Sequence, residues 1–255
     1  MLLASRRRIP TIDFHHGALD GRYLLKDMHC DTYLVKNEME RDYLVRVCGL
    51  PADRMILGAP PAMAAVAKIS AAAGKQSAIL FSEPYEVAEM RAAEVYREIL
   101  PSLCRVARAN DRGVILKLHP FEKIAKRKKI LEEVLTPEDA QMITVLDGPL
   151  TPELLARAWF GVTVESTTVI ECLQHGVCCF VCGWLSLSPY GYMQQYARYG
   201  VGEMLADAQQ LDDVPRRLAE FHRRKAIPLE SPVITAETLK TLFVSPERVA
   251  ARAAL

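Results

Sequence analysis

The sequence contains no apolar run that approaches the roughly 18 residues a membrane-spanning helix requires. It has almost no net charge: 32 basic against 31 acidic residues leave +1 at neutral pH. Bulk electrostatics therefore recommend neither nucleic acid nor an anionic membrane as a partner. No secretory signal is expected, because "MLLA" leads into Ser5 and three arginines rather than into an apolar core. A disulfide framework is lacking too. Seven cysteines is an odd number, and Cys172, Cys178, Cys179 and Cys182 crowd into one stretch. A structural zinc would want two separated pairs, and only Cys179 and Cys182 have the C-x-x-C spacing. "VCCFVCGW" reads instead as a buried strand that uses cysteine as a small apolar residue. No D-x-D pair suited to a metal-held diphosphate is present. No metal and no cofactor is expected, and the cytoplasm, free or at the membrane periphery, is the expected location. There is no internal repeat or low-complexity segment.

What is present is the composition of a soluble globular protein, 50% hydrophobic and 25% charged. Its 255 residues suffice for one large domain or two modest ones. Short apolar runs alternate with amphipathic stretches, which predicts βα units and a parallel sheet, hence an α/β fold. "TIDF" (11–14), "TYLV" (32–35) and "RMILG" (54–58) are strand candidates, with a helix across "NEMERDYLVRVCG" that stops at Gly49. A small, proline-led stretch at 61–76 is expected to link two domains. Five further strands follow in "SAILFSEP" (77–84), which runs into a turn, "GVILKLHP" (113–120), which must end near Pro120, "MITVLD", "FGVTV" and "CCFVCGW", the first trailed by one long helix from about Glu86 to Asn110. Thr151, Pro152 and Glu153 carry a helix-start signature. The run "EKIAKRKK" (122–129) reads as the solvated face of a helix, and the chain beyond about residue 207 as mostly helical. The expected division is a front segment 1–60, the linker 61–76, a Rossmann-like domain 77–225 and a helical end 226–255.

Ligands of open α/β sheets bind beyond the carboxyl ends of the strands. Three features fall there: His119 with Pro120, Asp147 with Gly148, and Glu165-Ser166-Thr167-Thr168 at the start of a helix. A helix start offers unpaired N–H groups and partial positive charge, so the last is a candidate phosphate seat; equally, Ser166 or Thr167 could simply cap the helix. A histidine at a strand end can donate to a phosphate or move a proton near neutral pH. The pattern predicts that the strand of His119 lies next to that of the Ser/Thr turn.

"LKLHP", followed about 45 residues later by "VTVESTTVIECLQHGV", resembles the C-terminal domain of GT-B-type glycosyltransferases of the capsule and wall-polymer class. These include bacterial sialyl- and polysialyltransferases, with HP and Ser-Ser/Ser-Thr motifs, and CDP-glycerol glycerophosphotransferases. The stretch from "IPTIDFHHG" to "RMILGAP" is similar to the last part of such enzymes' N-terminal domain, so the resemblance implies that most of that domain is absent from this sequence. It further implies a CMP-, CDP- or UDP-linked donor and a saccharide or polymer acceptor. His119 would contact or protonate the donor phosphate, and Ser166, Thr167 and Thr168 would hold it. Glu171, Asp147 and Tyr190 would contribute to the donor pocket, and His16 would act on the acceptor hydroxyl, with His15 the weaker candidate. The expected function is transfer of an activated sugar or glycerol phosphate in surface-polymer synthesis. The alternatives are a non-catalytic or truncated nucleotide-binding module and a nucleotide-sugar 2-epimerase; the latter would normally show a Gly-rich turn and a set of acidic catalytic residues, which are not evident in the sequence.

Overall fold

The structure, a computed structural model, describes residues 7, 9–15, 30–58, 76–88, 91–186, 191–221, 223 and 232–244. Contacts divide the chain into two units, one of Met1–Val66, Pro189–Tyr192 and Pro228–Leu255, the other of Ala67–Ser188 and Met193–Ile227.

The first unit carries a three-stranded parallel sheet of β1 (Ile12–Phe14), β2 (Thr32–Val35) and β3 (Met55–Leu57), in that order. Asp31 ties β1 to β2, accepting from Thr11 N at 2.8 Å and Thr11 Oγ1 at 2.7 Å while its own N–H donates to Thr11 Oγ1 at 3.0 Å. Helix α1 (Glu38–Asp42) is capped by Asn37, whose Oδ1 accepts from Glu40 N, and Glu40 reaches back past the cap to accept from Lys36 N. The chain then widens into a π-helical turn over Tyr43–Val47 and leaves it at Gly49, whose φ of 72° suits glycine. Tyr43 packs edge-on against Tyr192 at 5.0 Å. Helix α9 (Ala236–Val244) closes the described chain.

The second unit holds six strands, all paired in parallel: β4 (Ser77–Phe81), β5 (Gly113–Lys117), β6 (Ile143–Leu146), β7 (Ala158–Thr163), β8 (Cys179–Cys182) and β9 (Glu203–Leu205). Their order in space is β6-β5-β4-β7-β8-β9. The chain starts in the middle, builds outward to β6, then returns to the other side of β4; the reversal makes the β4/β7 boundary a topological switch point. Helix α2 (Ala92–Ala109) covers the sheet with Tyr96, Ile99, Leu100, Leu103, Cys104 and Ala107, buried at helical spacing. Helices α3 (Ile124–Val134), α4 (Pro137–Met142), α5 (Pro152–Ala156), α6 (Thr168–Gln174), α7 (Tyr192–Arg198) and α8 (Val214–Phe221) complete the described elements. Thr151 caps α5 as its sequence predicts, accepting from Leu154 N.

Three local expectations are corrected. The helix drawn from Glu86 to Asn110 is a 3-10 turn at Tyr85–Ala88 followed by α2, because Arg91 holds an extended backbone (φ −97°, ψ 123°) that a continuous helix cannot pass. Strand β9 went unread: three residues carry too little alternation to signal a strand. The basic run of α3 is solvated at Lys126, Lys128 and Lys129, but Arg127 is buried. The cysteine-rich strand β8 is buried throughout, with Cys172, Cys178, Cys179 and Cys182 all free thiols. Gly161 on β7 makes room for them. A methyl group there would lie 2.7 Å from the Phe81 ring and 3.0 Å from Cys179 Sγ.

Candidate functional site at the carboxyl edge of the second sheet

Strand β4 delivers Ser82 and Glu83 to the switch point. Glu83 Oε1 accepts three hydrogen bonds from the end of β7: Thr163 Oγ1 at 2.7 Å, Val164 N at 3.0 Å and Glu165 N at 2.9 Å. Those two N–H groups lie where β7 has left its ladder, so the carboxylate satisfies donors that would otherwise be orphaned. Burial pushes the Glu83 carboxyl above its ordinary pKa, the hydrogen bonds oppose this, and Glu165 adds to the rise. Glu165 in turn accepts from Ser186 Oγ at 2.8 Å.

The turn after β5 is held by a second carboxylate. Glu122 Oε2 accepts from His119 N at 2.8 Å, and its Oε1 accepts from Ser82 Oγ at 2.8 Å and Arg127 Nε at 2.6 Å. Arg127 continues in a bidentate pair to Glu86, at 2.9 Å for each nitrogen. The Glu122 and Arg127 side chains are 1% and 2% exposed, which makes this a buried ion pair rather than a surface one. Tyr96 OH shares a 2.7 Å hydrogen bond with Ser82. His119 Nδ1 accepts from Phe121 N at 3.3 Å. In that bond Nδ1 carries no proton, so the neutral ring keeps its proton on Nε2. Lys117, buried at the end of β5, donates at 2.7 Å to both Leu118 O and Gly148 O, fixing the loop after β6. Burial lowers its pKa, against the pull of Asp147 and Glu122.

The Arg127 pair brings the Glu86 carboxyl down from 4.5 to about 2. A depressed carboxyl contributes stability that is fully present above its unfolded pKa and is lost as pH falls through its folded one. Between pH 4.5 and about 2 the urea midpoint should therefore fall, and the fall should be shallower in Glu86→Gln. Because Glu86 is 45% exposed, solvent screening keeps the effect modest.

The sequence-predicted residues fall as follows. His119 and the 165–168 turn share one sheet edge but not neighbouring strands: β4 stands between β5 and β7, and the expected adjacency is wrong. Two strand spacings put the two turns roughly 10 Å apart, with Ser82 and Glu83 between them. Ser166 Oγ accepts from Thr168 N at 3.2 Å, a local capping bond that leaves its own O–H able to donate. Thr167 is the N-cap of α6 and uses no side-chain cap bond. The Thr168 hydroxyl is buried without a hydrogen-bond partner. Glu171 is exposed on α6. Asp147 is exposed beyond the edge strand β6, three strand positions from β7. His15 directly follows β1 in the first unit; His16 and Tyr190 lie outside the described residues. Sequence reasoning missed Glu83, Glu122 and Arg127. The one signal was the spacing of Glu122, three residues after His119, which suits a carboxylate that folds back onto the turn. Among the described residues no group of three or more His, Cys, Asp or Glu could hold a metal ion, and no helix is long and apolar enough to cross a membrane. A separate cleft of about 510 Å³ lies beyond β8 and β9, against Trp184, Met204, Gln210 and Arg217, and none of the predicted site residues lines it.

No family model and no curated protein matches the chain. Solved structures do. The S. aureus MnaA–UDP co-structure superposes with a TM-score of 0.59 at 13% identity, over 87% of this chain and 62% of that one. Methanocaldococcus jannaschii UDP-GlcNAc 2-epimerase, in complex with UDP-GlcNAc and UDP, gives 0.58 at 14% identity, over 98% and 71%. A glycosyltransferase from Rickettsia africae gives 0.51 at 9% identity, over 83% and 61%. The fold is thus GT-B-like α/β with Rossmann-type parallel sheets, and the chain spans about two thirds of the length of these structures.

Proposed function

We propose that the protein binds a UDP-linked sugar at the carboxyl edge of its second sheet and epimerises that sugar. The observation that carries the reading is the switch point itself: β5, β4 and β7 bring a histidine turn, two carboxyls and a hydroxyl turn to one edge, where α/β sheets bind ligands. Neighbours of the same fold that carry UDP or UDP-GlcNAc support the nucleotide, and the 2-epimerase among them supports the reaction. Glu165, already at a strand end in the sequence reading, and Glu83, which that reading did not mark out, supply acid groups that an epimerase needs. In this reading His119 donates from Nε2 to the diphosphate, while Ser166 and Thr167 hold it from the far side of β4. Oriented donors of this kind each contribute on the order of 3–4 kcal/mol to a developing negative charge.

The second reading, transfer to a saccharide or polymer hydroxyl from a UDP-, CMP- or CDP-linked donor, is supported by the glycosyltransferase neighbour and needs the same seat. Incubation with UDP-GlcNAc in D₂O separates the two. Epimerisation gives the C2 epimer with deuterium at C2, seen by proton NMR. Transfer gives free UDP only when an acceptor saccharide is added. A bound, unchanged donor would mark a non-catalytic binding module, and no binding would defeat the epimerase reading and leave only transfer from a CMP- or CDP-linked donor.

A further inference from the structure

Glu83 is an unexpected neighbour for an anion seat. Among the described residues, Glu165 on the β7–α6 turn, Tyr85 on the turn after β4 and Cys182 at the end of β8 are titratable groups set against it, and all three are acids. Its two oxygens are used unequally. Oε1 takes all three donors from Thr163, Val164 and Glu165, and among the described residues none donates to Oε2. An ionised Glu83 would repel a diphosphate held by the very turn it fixes. A protonated one keeps Oε1 as the acceptor for β7 and presents an O–H on Oε2. We infer that Glu83 is a ligand-facing residue of this site: it takes up one proton from solvent when a diphosphate binds and donates it, as a hydrogen bond from Oε2, to a phosphate oxygen. The desolvation that already raises its pKa works in the same direction. This rests on the nucleotide-sugar reading above and adds to it a coupling between binding and protonation.

The consequence is a binding constant that depends on pH with a known sign. A group that gains a proton on binding weakens binding as pH rises, with a slope of log affinity against pH that approaches about −1 above its free-state pKa. UDP-GlcNAc is the suitable probe, because its diphosphate has no terminal group that titrates near neutrality. Titration calorimetry of the full chain at about pH 6.5, in two buffers of different ionisation enthalpy, counts the protons taken up. Wild type should take up protons, and Glu83→Gln should take up measurably fewer, with a flatter pH profile. The amide oxygen of the variant can still accept from Thr163, Val164 and Glu165, so the turn is retained, which circular dichroism checks. Equal proton counts in the two proteins would overturn the role of Glu83 and leave nucleotide binding intact. Should the variant not fold, wild type decides alone, since binding without proton uptake overturns the inference. Failure of wild type to bind UDP-GlcNAc would overturn the epimerase reading and this inference with it.

Discussion

Replacing Arg127 with methionine is expected to lower the free energy of unfolding by about 3–5 kcal/mol, because it leaves Glu122 as an uncompensated buried carboxylate. Glu122 and Arg127 are 1% and 2% exposed, and Arg127 Nε lies 2.6 Å from Glu122 Oε1. The charge cannot be rescued by water, and Ser82 Oγ and His119 N alone cannot balance it. The double replacement Arg127→Met with Glu122→Leu should recover much of the loss, since apolar packing of similar volume often matches a buried pair. It should not recover turnover, because Glu122 Oε2 is what holds His119 N. Urea unfolding of the three proteins measures this. A loss below about 1 kcal/mol in the single variant would place the pair with ordinary surface bridges.

His119→Ala is expected to reduce turnover of a nucleotide-sugar by about 100-fold or more, the usual contribution of a positioned proton donor. The backbone of the turn should survive the change, because Glu122 grips His119 through its N–H and not its ring. Stability should therefore stay near wild type, and the loss should appear in kcat more than in KM if the donor acts chiefly on developing charge. Near-normal turnover with intact folding would remove His119 from the chemistry.

Most of the sheet was legible because its strands are short apolar runs bounded by turn residues. "TYLV" was read as the strand it is, and Thr151-Pro152-Glu153 announced α5 through capping chemistry that acts locally. Strand order was not legible. Nothing in "GVILKL" or "FGVTV" says that "SAILF" lies between them, since that depends on which edges remain open when each strand docks. The error propagated to the site. With His119 and the Ser/Thr turn expected on neighbouring strands, the sequence leaves no place for a third contributor, and nothing in "SAILFSEP" marks Glu83 out. Arg127 was lost for a related reason: within "EKIAKRKK" its side chain is chemically like those beside it, and only the tertiary partners Glu86 and Glu122 distinguish it. The 165–168 turn was half legible, since hydroxyls at a helix start signal both a cap and an anion seat, and Ser166 serves as the former.

A nucleotide-linked sugar is expected to sit at the carboxyl ends of β5, β4 and β7. Amide chemical-shift mapping during a UDP-GlcNAc titration tests it most directly. The predicted result is a contiguous set of shifts at Ser82–Glu83, His119 and Glu165–Thr168, saturating with one dissociation constant. Shifts confined to the cleft at Trp184, Met204 and Arg217, or no saturable shift at any concentration, would contradict it.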